Sequence, residues 1–101
     1  MKKRVICVIA LVLAIAMALA GCGGGSADLK MATGGTTGTY YAYGGIIAGV
    51  LQDNMEDTTV TIHSSGASKA NIFEVVDGEA DIAFVQNDVA YYAQTGTDLF
   101  E

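Results

Sequence analysis

Three short polar stretches hold the residue types from which a site could be built: Gly-Gly-Thr-Thr-Gly-Thr at 34–39, Ser-Ser-Gly-Ala-Ser at 64–68 and Gln-Asn-Asp at 86–88. Each follows a short apolar or β-branched run and precedes a segment of helical periodicity. Hydroxyls and amides at such a corner sit beside backbone N–H groups without intrahelical partners, at the positive end of a helix dipole. That combination holds an anion or a carboxylate. Thr36, Thr37 and Thr39 are more hydroxyls than a tight turn requires, and Thr36 and Thr37 are the expected donors. Tyrosine offers an apolar body with a polar tip, so one of Tyr40 and Tyr41 either reaches the site or, as aromatics at helical spacing more often do, packs in the core. Asp88 either caps the helix that follows it, contacts a ligand amine, or does both. Lys69 adjoins the second stretch, in a position equally compatible with solvent.

Other chemistries fit the residues less well. A dinucleotide fingerprint needs Gly-x-Gly-x-x-Gly, whereas Gly34 is followed by Gly35 and then Thr36; a P-loop needs a Gly-Lys-Ser/Thr run, and no lysine lies in 34–39. No nucleotide or other cofactor is therefore expected. His63 is the single histidine, with no thiol or second imidazole near it in sequence, so no metal site is expected. A serine hydrolase would pair Ser65 with His63, but the Gly-x-Ser-x-Gly elbow is missing. Asp53, Glu56 and Asp57 read as a solvated acidic surface, and Glu79 and Asp81 fall away from the polar loops.

The elements that must position the three loops alternate along the chain. Leu29, Met31 and Thr33 alternate with Lys30 and Ala32 as a strand; 59–63 is a second, β-branched strand; 81–85 is a nearly continuous apolar run that suits a strand buried on both faces. Between them, Thr39 is placed as the N-cap of a helix with an apolar face of Tyr40, Tyr43, Ile47, Val50 and Leu51, ending at Asp53-Asn54. Gly45 and Gly49 are expected to let that helix pack close to the sheet. Ser68 is placed as the N-cap of a second helix carrying Ile72, Val75 and Val76, with Gly78 at its C-terminal end. A third helix runs from Val89 to about Gln94. This order predicts an α/β fold with a parallel sheet and right-handed crossover helices. Ligands in such sheets bind beyond the carboxyl ends of the strands, so all three loops should line one edge.

The N-terminus reads as an address. Lys2, Lys3 and Arg4 precede an uninterrupted apolar run at 5–20 and then Gly21 and Cys22, the pattern of a secretory signal peptide over residues 1–21. Residues 22–28 form a Gly/Ser tether, and 29–101 an incomplete α/β lobe. Cleavage leaves Lys30 and Lys69 against 11 acidic side chains, a balance that draws the protein neither to nucleic acid nor to anionic lipid. It also removes Cys7, so no disulfide is expected. The chain stops soon after the third helix, and it reads as the N-terminal part of something longer.

Leu19-Ala20-Gly21-Cys22 resembles the lipobox of bacterial lipoproteins, which implies that Cys22 is acylated and anchors the protein to the bilayer. The rest of the chain resembles the TAXI family of solute-binding receptors of TRAP transporters. The resemblance lies in Ala32-Thr33-Gly34-Gly35-Thr36-Thr37-Gly38-Thr39-Tyr40-Tyr41, in Ser65-Gly66-Ala67-Ser68-x-x-Asn71, and in Gly78-Glu79-Ala80-Asp81 leading to Val85-Gln86-Asn87-Asp88-Val89-Ala90. It implies the start of lobe one of a type II periplasmic-binding-protein fold, in which two α/β lobes close on a small ligand. The ligand implied is a small carboxylate or amino acid such as glutamate or 2-oxoglutarate, passed to a membrane permease in the periplasm or at the outer face of the cell membrane. By motif, Thr36, Thr37, Gly38 and Tyr40 belong to the first ligand loop, Ser65, Ala67, Ser68 and Asn71 to the second, and Gln86, Asn87 and Asp88 to the third. The family more often has Thr-Gly-Gly-Ser where this chain has Ser65-Gly66-Ala67-Ser68, and Gln-Ser-Asp where it has Gln86-Asn87-Asp88. A receptor is not an enzyme; the alternatives are the Ser65/His63 hydrolase and a surface-anchored interaction module.

Overall fold

The computed structural model describes residues 1–19 and 25–101, so that Cys22, Gly23 and Gly24 lie outside the described residues. The N-terminal segment is helix α1 (Lys2–Leu19), whose described apolar side chains from Val5 to Ile15 are exposed. Among the described residues no helix is long and apolar enough to cross a membrane. The α/β unit then runs β1 (Ala27–Ala32), α2 (Thr39–Asn54), β2 (Thr58–His63), α3 (Ser68–Val76), β3 (Ile82–Ala83) and α4 (Asn87–Thr95), followed by a 3₁₀ turn at Asp98–Phe100. The alternation of strand and helix is the one expected. The sheet is parallel in the order β2-β1-β3, with Met31 opposite both Ile62 and Ile82. This is the α/β architecture of the start of a periplasmic-binding-protein lobe.

Period-two alternation divides the strands between two faces. Leu29, Met31, Val60, Ile62, Ile82 and Phe84 pack with Ala48 and Leu51 of α2. On the other face, α3 brings Ile72 and Val75 beside Ala83 and Val85, and Glu74 to His63. The chain crosses from β1 outward to β2 and then back past β1 to β3. Right-handed crossovers in opposite directions therefore place α2 and α3 on opposite faces.

Several local expectations are corrected. Strand β1 starts at Ala27, two residues inside the expected tether, because the Ala27 N–H donates to the Asp57 carbonyl at 2.8 Å. Strand β3 is two residues long rather than five, since its ladder partner ends at Ala32, and its apolar side chains are half-buried at a sheet edge. The packed face of α2 is Gly44, Ala48 and Leu51, whereas Tyr43 (56 % exposed), Ile46, Ile47 and Val50 point outward. Gly44, not Gly45 or Gly49, makes the close approach: a Cβ there would stand 2.7 Å from Thr33 Cγ2. The N-caps are Gly38 and Ala67, so that Thr39 and Ser68 are the first helical residues and not caps. Gly78 takes the left-handed conformation (φ 76°) just past the C-cap of α3, as expected.

Candidate functional site

Strand order β2-β1-β3 makes the boundary between β1 and β3 a switch point, where the connections leave toward opposite faces and open a crevice at the carboxyl edge. A cleft of about 330 Å³ lies there, lined by Gly34, Gly35, Gly38, Thr39, Tyr40, Ala67 and Gln86. Every loop contributes, and none of these seven residues is charged. The Tyr40 ring stacks on Phe84 at 5.1 Å and 18°, which joins the start of α2 to the end of β3.

The cleft wall includes the N-cap residue of each helix that leaves this edge: Gly38 for α2, Ala67 for α3 and Gln86 for α4. None of the three makes a side-chain capping hydrogen bond. First-turn N–H groups beside the cleft are thus left to solvent or ligand, with three helix dipoles presenting their positive ends. In α4 one of these donors is used, because the Val89 N–H is bonded to Asp88 Oδ1 at 2.8 Å. Asp88 therefore serves its own helix start.

Beneath the cleft a polar network fixes the loops. Asn71 is 0 % exposed, and its Nδ2 donates to the carbonyls of Thr33 (2.7 Å) and Phe84 (2.8 Å), at the ends of β1 and β3. Its Oδ1 accepts from the Ser65 hydroxyl. Ser65 Oγ in turn accepts from the Ala67 N–H at 3.1 Å, and Ser68 Oγ accepts from the Gln86 N–H at 3.0 Å. The Thr33 hydroxyl closes the set on the His63 carbonyl at 2.6 Å. Each of these side chains uses its capacity to hold backbone together.

The expected site residues therefore separate into groups. Gly38, Tyr40, Ala67 and Gln86 line the cleft. Ser65, Ser68 and Asn71 lie in the network below it, with Asn71 saturated internally. Thr36 and Thr37 sit exposed in the turn closed by the Gly38 N–H on the Gly35 carbonyl (2.8 Å), outside the lining. Asn87 and Asp88 are exposed in the first turn of α4, also outside it. Gly34, Gly35 and Thr39 also line the cleft, and the sequence signal for the first two is the Gly-Gly pair that follows an apolar strand.

Two further expectations meet the geometry here. His63 Nε2 is bonded to Glu74 Oε2 at 2.5 Å, whereas Ser65 Oγ is engaged by Asn71, and among the described residues no hydrogen bond joins Ser65 to His63. A nucleophile needs its base within that reach. Lys69 carries its ammonium 5.7 Å from the centre of the Phe100 ring and is absent from the cleft lining. Among the described residues, no group of three or more His, Cys, Asp or Glu side chains is placed to hold a metal.

Residues 31–101 match the NMT1-like family, a match that begins inside β1 and takes in all three loops. The chain belongs to the NMT1-like family. This is a periplasmic-binding-protein-like family, generally non-enzymatic, and membership gives the chain a solute-binding role in transport at an extracytoplasmic location. The uncharged cleft of this NMT1-like chain stands where an open α/β sheet places its ligand.

Proposed function

We propose that this NMT1-like protein is the receptor of a TRAP-type transporter of the TAXI kind. It captures a small carboxylate such as glutamate or 2-oxoglutarate and delivers it to a membrane permease. The observation that carries the reading is the convergence of three N-caps without side-chain partners on one cleft that contains no charged side chain. Such a wall holds a carboxylate by backbone donors and dipoles, with no need of the lysines, which are absent from it. Gly38, Thr39, Tyr40, Ala67 and Gln86 are the assigned contacts. Ser65, Ser68 and Asn71 are positioning residues that keep the donors in place. Thr36, Thr37, Asn87 and Asp88 remain contacts only for a ligand large enough to extend past the rim.

Titration calorimetry on the intact protein with glutamate and 2-oxoglutarate tests this reading. Binding of either, with no heat from nucleotides, is the expected outcome; nucleotide binding without carboxylate binding overturns it. The tether and the Leu19-Ala20-Gly21-Cys22 motif support a signal peptide over 1–21 and an acyl anchor on Cys22. Mass spectrometry of the mature N-terminus is expected to find Cys22 as its first residue, carrying acyl chains; an unmodified Cys22 overturns the anchor.

A further inference from the structure

We propose that Ala67 sets the size of ligand that the cleft admits, an inference that rests on the carboxylate-binding reading above. Ala67 has φ 64° and ψ −155°. Glycine occupies that region freely, whereas a residue with a Cβ is strained there. Among the described residues, the two other non-glycine residues with positive φ, Asp57 and Asp98, are of a type that tolerates left-handed backbone in turns. Ala67 has no such allowance.

The surroundings hold Ala67 in place through its backbone alone. Its N–H donates to Ser65 Oγ at 3.1 Å and its carbonyl accepts from the Asn71 N–H at 2.8 Å. A glycine would make both bonds without the strain. The methyl group acts elsewhere, in the wall of the cleft. A Cβ built on Gly34 would stand 3.8 Å from Ala67 Cβ and 3.7 Å from Tyr40 Cβ, so the Ala67 methyl faces the Gly34 backbone beside the Tyr40 side chain. The methyl thus stands between the first loop and the start of α3. A ligand end that reaches the α3 donors passes the methyl, and a branch on that end collides with it.

One methyl in a fitted apolar contact changes discrimination by about tenfold or more. The test is calorimetry and thermal melting on the intact protein and its Ala67→Gly variant with glutamate, 2-methylglutamate and 4-methylglutamate, which carry a methyl beside one or the other carboxylate. The variant is expected to melt higher and to shift its preference toward one of the methylated acids by at least about tenfold relative to wild type. Glutamate binding with an unchanged preference in the variant overturns this assignment alone, as does a variant that melts lower. A wild type that binds none of the three overturns this assignment, and one that also fails to bind 2-oxoglutarate overturns the carboxylate reading with it.

Discussion

Helix α2 connects two hollows of opposite character. Its N-terminus borders the uncharged cleft of about 330 Å³, and its C-terminus borders a larger hollow of about 670 Å³ lined by Gln52, Asp53, Asn54, Met55, Glu56, Asp57, Thr58, Thr59 and Ser26. The larger space is the poorer binding site for an anion. Three acidic side chains stand there beside the negative end of the dipole, and the last turn of α2 has no basic residue to offset them. At the other end, the same helix contributes free N–H groups and an aromatic wall. Sign of field, and not volume, distinguishes the two ends.

The sharpest way to break the contrast is to disturb what holds the cleft open. Asn71→Asp replaces two buried N–H donors by an acceptor facing the carbonyls of Thr33 and Phe84. It should cost about 3 kcal/mol or more in urea unfolding, because it leaves a buried charge without a partner. A loss below about 1 kcal/mol would mean that the loops are held by something else. Thr39→Asp then tests the field itself. As the first helical residue of α2 it favours the helix start and leaves the melting temperature level or raised, yet it places a carboxylate in the cleft wall. Carboxylate affinity should fall at least about tenfold, equivalent to about 1.4 kcal/mol; unchanged affinity would remove the cleft from consideration. Least of all should follow from Asp57→Asn in the acidic hollow. Asparagine suits the φ of 51° at that position, so stability should shift by no more than about 0.5 kcal/mol, and carboxylate affinity should stay within about twofold.

Much of the fold was legible from pattern. The β-branched strand at Thr58–His63, the glycine past α3 and the order of strands and helices follow from period and turn chemistry that act over a few residues. The candidate site is legible in the sequence as three loops on one edge, but which residues of the loops line the cleft is not. Thr36 and Thr37 drew notice by composition, and they sit on a turn outside the cleft while Gly34 and Gly35 form its wall. A glycine wall has no side chain to notice, since its donors and its space are both backbone. Residue type points to Thr39 and Ser68 as caps, whereas the caps are Gly38 and Ala67 and the Ser68 hydroxyl answers a loop 18 residues away.

The apolar face of α2 shows the same division. Tyr43, Ile47 and Val50 recur at helical spacing and are exposed, while the sheet takes Gly44 and Ala48. Local sequence determined that this segment is a helix, that the strands run in parallel, and that the carboxyl edge is polar, because propensity, periodicity and crossover handedness are properties of short segments. Only the tertiary structure decided which side of α2 meets the sheet, that the Asn71 amide joins two strand ends, and that Ala67 is held at a glycine conformation in the cleft wall. Those outcomes depend on distances between segments far apart in sequence. At 2.7 Å from Thr33 there is no room for a side chain on Gly44, and close packing, not hydrophobicity, selects the face.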